Sequence, residues 1–156
     1  MYEFAKLIHL ASAIVWLGGM TFMLFILRPA ALQTMPPHDL AQLMLRVWQR
    51  FFAVVAVTAV LLLWSGSHMY KTAYVASKSV AAVGSVPLGW NLMLGLGVLM
   101  FLTFGHLFFS GFRKFKRAVQ AADWPQAAKS AQLVRWLVMV NFCLGWLAIL
   151  AVRLVR

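Results

Sequence analysis

Leu7-Ile-His9-Leu-Ala-Ser-Ala-Ile-Val-Trp16-Leu-Gly18-Gly19-Met20-Thr-Phe-Met23-Leu-Phe-Ile-Leu27 runs for 21 residues without a Lys, Arg, Asp or Glu. About 20 apolar residues are what one α-helix needs to cross the hydrocarbon layer of a bilayer. Three further runs reach that length: Phe51–Tyr70, Leu88–Phe109 and Leu133–Leu150. Together they predict an all-α bundle of four transmembrane helices, with residues 1–156 forming one integral membrane domain. The composition agrees. The chain is 63% hydrophobic and 11% charged, with a mean hydropathy of +0.85, well beyond the apolar share of a soluble domain. The first run exceeds the apolar core of a signal peptide, has Glu3 beside Lys6 before it, and contains Trp16 and a Gly-Gly pair. It reads as a retained anchor.

The net charge of +11 comes from 14 basic residues against 3 acids. Every basic segment flanks an apolar run, so the excess fits lipid head groups and topology rather than nucleic acid. Arg28, Arg46, Arg50, Arg113, Lys114, Lys116, Arg117, Lys129 and Arg135 lie on one side, and Lys6, Lys71, Lys78, Arg153 and Arg156 on the other. The positive-inside rule then puts the two connecting loops in the cytoplasm and both termini outside, which is periplasmic in a bacterial inner membrane.

Asp39-Leu-Ala-Gln42 and Asp123-Trp-Pro-Gln126 each read as a capping box, an N-cap acid with a glutamine three residues on. The second and fourth helices are thus expected to begin as amphipathic segments before entering lipid. The shared plan points to a parallel internal repeat of two hairpins. Lys71–Pro87 reads as a short surface helix, and Trp48, Trp90, Trp124 and Trp136 as an interfacial aromatic belt.

Candidate chemistry rests on histidines. His9, His68 and His106 each fall in a different apolar run, where an ionisable side chain is costly without a partner. His9 heads a helical stripe with Ala13, Trp16, Met20 and Met23, thinned by Gly18 and Gly19. His68 ends Trp64-Ser-Gly-Ser-His-Met69, with Trp64 one turn behind it and the soft thioether of Met69 beside it. The first two helices run in opposite directions, so His9 and His68 occupy the same outer layer. Two imidazoles there could hold a b-type heme from opposite faces or share a copper ion. His106 lies roughly 20 Å deeper by helix rise. It shares a face with Asn91, Gly95, Leu99 and Leu102, a side that reads as interior. It is a candidate for a second centre or for a bond to a cofactor, and a structural role is equally open.

Packing accounts for most methionines and for Cys143, and interhelical hydrogen bonding for Asn91 and Asn141. His38, in a polar loop, reads as solvated. No catalytic triad, carboxylate pair or phosphate loop is present, so nothing commits the chain to being an enzyme.

Lys6-Leu-Ile-His9, Ile14-Val-Trp16-Leu-Gly-Gly19, Leu27-Arg-Pro29, Arg50-Phe-Phe52, Pro87-Leu-Gly-Trp90, Phe104-Gly-His106, Lys116-Arg-Ala118, Asp123-Trp-Pro125 and Asn141-Phe-Cys-Leu-Gly-Trp146 resemble short members of the copper-resistance protein D (CopD) family. That resemblance implies an association with copper handling. More distantly the chain resembles the HemJ-type protoporphyrinogen oxidases, heme-associated four-helix proteins whose histidines match His9 and His106. Those proteins carry a lysine early in the third helix, and this chain has none near Met93.

The expectation is a redox-cofactor protein with heme in the outer half of the bundle, passing electrons to a membrane or periplasmic partner. His9, His68, His106, Trp16 and Trp64 would form its surroundings. Heme comes first because two opposed histidines complete its ligation, whereas a copper path would need ligands at intermediate depths. The alternatives are copper transport or loading through His9, His68 and Met69, and a structural subunit without a cofactor.

Overall fold

The computed structural model describes residues 1–79 and 86–155. It is all-helical: α1 (Tyr2–Thr34), α2 (Pro37–Ser79), α3 (Leu88–Gln120) and α4 (Trp124–Leu154). All four helices are long and apolar enough to cross a membrane, which makes this a multi-pass membrane protein. Each extends well beyond its apolar run. The limits of an apolar run mark where lipid ends, whereas backbone hydrogen bonding continues for as long as one face stays buried. At the end of α3, Phe115, Ala118 and Val119 turn inward while Arg113, Lys114 and Arg117 are exposed. The start of α2 follows the same rule, with Met44 and Trp48 buried and Arg46 and Arg50 exposed. Trp48 is therefore a core residue, and Cys143 is exposed rather than packed.

α1 packs along α2 and α3 along α4, giving two hairpins. Both are interrupted in the same place. A π-helical turn occupies Phe22–Leu27 in α1 and Leu107–Phe112 in α3. Each is followed by a basic residue and a last α-helical segment, Arg28–Thr34 or Arg113–Gln120. This matched design strengthens the internal-repeat reading. The end of the bundle with the two tight turns is called here the hairpin end, and the other the terminal end.

The turns differ in detail. Asp123 caps α4 as expected, accepting from the Gln126 amide at 3.0 Å. Asp39 does not cap α2: that helix already begins at Pro37, with the Leu40 amide bonded to the Pro36 carbonyl. Proline tolerates the first helical turn and so starts the helix earlier. Asp39 instead accepts from His38 Nδ1 at 3.0 Å. The expected surface helix over Lys71–Pro87 is in part the continuation of α2 to Ser79; its Val80–Ser85 portion lies outside the described residues.

The two hairpins meet along an aromatic seam. Phe101, Phe104, Phe108, Phe112 and Phe115 recur every three or four residues along one side of α3. Trp16 of α1, 2% exposed, packs edge-on against Phe101 and Phe104 at 5.6 and 5.8 Å. Phe52 of α2 meets Phe104, Phe108 and Phe112, and Trp48 meets Phe115 at 4.7 Å. The interior of α3 is this phenylalanine face. The stripe read as interior from the sequence, Asn91, Gly95, Leu99, Leu102 and His106, is its exposed face. Both faces are apolar, and lipid attracts apolar side chains as readily as protein does, so hydropathy could not separate them.

Candidate metal centre at the terminal end

His9 is half-buried on α1, facing α2. Its Nδ1 lies 3.1 Å from Ser65 Oγ. Ser65 is fully buried, and its hydroxyl proton goes to the Leu61 carbonyl one turn back, at 2.6 Å. The imidazole must then donate. The Leu62 carbonyl lies 3.4 Å from the same hydroxyl. Nδ1 therefore carries the proton of the neutral ring, and Nε2 keeps the lone pair that could bind a metal. Gly66 makes the approach possible. A Cβ there would stand 3.2 Å from His9 Cε1, tighter than ordinary contact.

His9 opens onto a cavity of about 210 Å³ lined by all four helices. Trp16, Trp90 and Phe101 supply aromatic walls, and Met69, Met93 and Met100 bring three thioethers to it. Tyr70 closes one side, its hydroxyl donating to Asn91 Oδ1 at 2.7 Å and joining α2 to α3. Asn91 thus has the interhelical partner expected of it. Asn141 does not: it is 2% exposed, and its Oδ1 is the buried side-chain polar atom without a partner among the described residues.

The other sequence candidates lie elsewhere. His68 follows Gly66 by two residues, about 200° round the helix, and so leaves the face that meets His9. It stacks instead on Trp64, with ring centroids 6.4 Å apart and planes 14° apart, and Trp64 is 50% exposed. His106 lies on the exposed face of α3 and does not line the cavity. The structure therefore gathers His9, Trp16 and Met69, and leaves His68, Trp64 and His106 outside. Ser65 and Tyr70 join the site without a sequence signal. Met93 and Met100, whose seven-residue spacing puts them on one helical face and which were assigned to packing, line it as well. Among the described residues no group of three His, Cys, Asp or Glu could hold a metal, so any ion here would depend on thioethers.

No curated protein and no solved structure matches this chain. A family model described as a domain of unknown function (DUF4149) matches residues 11–105, from two residues past His9 to the residue before His106. That match spans more than half of the 156 residues, and on it the chain belongs to the DUF4149 family.

Proposed function

We propose that this membrane protein holds copper(I) in the terminal-end cavity as part of copper handling or loading, with His9 Nε2 as the nitrogen ligand and the methionines supplying sulfur. The observation that carries the reading is the donor set: one imidazole, fixed through Nδ1, opening onto a cavity shared by Met69, Met93 and Met100. Thioethers are soft ligands that select copper(I), and imidazole suits copper as well. The Ser65 bond would orient the ring as a ligand's outer partner does. The volume also favours an ion. About 210 Å³ falls below the roughly 300–1,000 Å³ usual for small-molecule pockets. The resemblance to copper-resistance protein D points the same way.

Heme with electron transfer stays as the second reading, supported by the aromatic walls and by Gly97, where a Cβ would meet open space. His9 and a methionine of the cavity would then hold the iron, since His68 faces away. The positive-inside count supports termini in the periplasm of a bacterial inner membrane, so the cavity would take its metal from that side.

The test is to load the purified full-length protein with copper(I) and record its X-ray absorption. A first shell with one nitrogen and two or three sulfur atoms supports the reading. A nitrogen-and-oxygen shell, or no retained copper, contradicts it. A low-spin heme spectrum in the protein as isolated would put the second reading ahead.

A further inference from the structure

A second cavity, of about 790 Å³, lies at the hairpin end between α1, α2, the close of α3 and the start of α4. Unlike the terminal-end cavity, it falls within the roughly 300–1,000 Å³ usual for small-molecule pockets. Its wall is apolar and rich in rings: Leu32, Met44, Trp48, Phe115 and Trp124. All five lie outside the four apolar runs, on the loop side of Arg28 and Arg135. The cavity therefore stands beyond the hydrocarbon layer, where molecules arrive from water. His38 packs edge-on against Trp124 at 4.7 Å and ties the start of α2 to the start of α4 at its loop end.

Arg28 and Arg135 line this cavity, and no acid does. The chain's 3 acids are engaged elsewhere: Glu3 beside Lys6 at the terminal end, Asp39 bonded to His38, and Asp123 capping α4. Helix register brings the two arginines to similar levels. Phe25 of α1 packs on Phe142 of α4 at 5.6 Å. The helices run in opposite directions, so Arg28 lies roughly 5 Å and Arg135 roughly 10 Å from that contact, both towards the hairpin end.

The π turn in α1 explains why Arg28 faces inward. In an uninterrupted α-helix, twelve residues beyond Trp16, it would lie about 120° round from that buried residue. One extra residue taken up by a π turn reduces this to about 20°. Arg28 is accordingly half-buried in the cavity wall instead of exposed like Arg46 and Arg50.

We propose that this cavity binds a water-soluble organic anion with an apolar, ring-bearing body, its carboxylate or phosphate held at Arg28 and Arg135 and its rings against Trp48, Phe115 and Trp124. Guanidinium forks suit both anionic groups through paired, charge-assisted hydrogen bonds. Aromatic walls give a flat apolar body a large contact. An uncharged molecule would leave the arginines without a counter-charge, and a simple inorganic anion would leave the aromatic wall unused. The proposal does not depend on what the terminal-end cavity holds.

Methyl NMR of the full chain in detergent, isotope-labelled at its methionines, tests it, because Met44 lines this cavity while Met69, Met93 and Met100 line the other. Met44→Leu identifies the Met44 signal. Naphthoate or naphthyl phosphate should shift that signal saturably and leave the terminal-end methionines unmoved, and the tighter of the two names the anion. Naphthamide, which lacks the charge, should bind roughly tenfold or more weakly, the scale of lost hydrogen bonds to charged groups. Acetate, which lacks the rings, should produce no shift. Arg28→Gln with Arg135→Gln should weaken binding of the tighter anion on the same scale, Arg28→Lys with Arg135→Lys by less, and Arg113→Gln with Lys114→Gln not at all. Ala128→Phe, which fills the cavity without removing charge, should also lose it. Unmoved terminal-end methyl signals report in each variant that the fold is kept. No shift of Met44 with either anion, equal binding of naphthamide, or unchanged binding in both the double-glutamine and the Ala128→Phe variants would overturn the proposal. An equal shift with acetate would make this a simple-anion site and overturn it as well.

Discussion

Ser65 and His9 join α2 to α1 through a 3.1 Å bond in which the imidazole is the donor, because the serine proton is already given to Leu61. That bond fixes both the tautomer of His9 and the direction of its free nitrogen. Ser65→Ala should cost about 0.5–1.5 kcal/mol of stability as an ordinary hydrogen bond. It should also weaken metal retention by up to roughly 10–100-fold, as loss of an outer-shell partner does. Thermal unfolding in detergent together with copper(I) competition against a chromogenic chelator measures both. Unchanged copper retention in Ser65→Ala would remove the serine from the site.

Ala122 should be improvable. It sits at φ 54, in the left-handed region, where Ala122 N–H bonds to Val119 and Asp123 N–H to Ala118 to end α3. This Schellman arrangement favours glycine, and a side chain there costs about 1–2 kcal/mol. Ala122→Gly should therefore raise the melting temperature, with part of the gain offset by the extra entropy of the unfolded chain. A lower melting temperature would contradict the described turn.

The seam and the exposed face of α3 should respond in opposite ways. Trp16→Ala and Phe104→Ala remove side chains packed between the hairpins and should each cost about 3–5 kcal/mol. His106→Ala, on the exposed face, should stay within about 0.5 kcal/mol. Reversible unfolding in mixed micelles gives all three values. A large loss in His106→Ala would mean that this face is covered.

α3 and α4 approach closely at Gly89, where a Cβ would clash with the carbonyl oxygens of Ala151 and Val155. Backbone cannot yield as a flexible side chain can. Gly89→Ala should thus cost about 1–3 kcal/mol, whereas Gly95→Ala, where a Cβ meets nothing, should be neutral or slightly stabilising through helix propensity. The difference in melting temperature between the two variants checks this.

Much of the architecture was legible in the residues, and the reason is specific. Four apolar runs of bilayer length, three of them without a Lys, Arg, Asp or Glu, leave little alternative to four helices, and Asp123 with Gln126 marked the start of α4. Asp39 misled because the prolines before it begin α2 earlier. Lateral facing was harder to read. His9 and His68 share a depth, yet depth says nothing about rotation. The Ser65 bond and Gly66 approach to His9, with the stacking of His68 on Trp64, give the rotation of α2. The phenylalanine row of α3 and its Asn91–His106 row are similarly apolar, and the polar residues drew attention to the wrong one. The π turn before Arg28 leaves no compositional trace, so the half-burial of that arginine could not have been anticipated.

The central claim is that His9, and not His68, is the metal-binding histidine, and copper stoichiometry in three proteins tests it directly. Wild type, His9→Ala and His68→Ala should be purified from the same membranes, loaded with copper(I) and stripped of loosely held metal by a chelator. The account predicts one copper per chain in wild type and in His68→Ala, and none in His9→Ala. Equal copper in His9→Ala and wild type, or loss in His68→Ala alone, would contradict it.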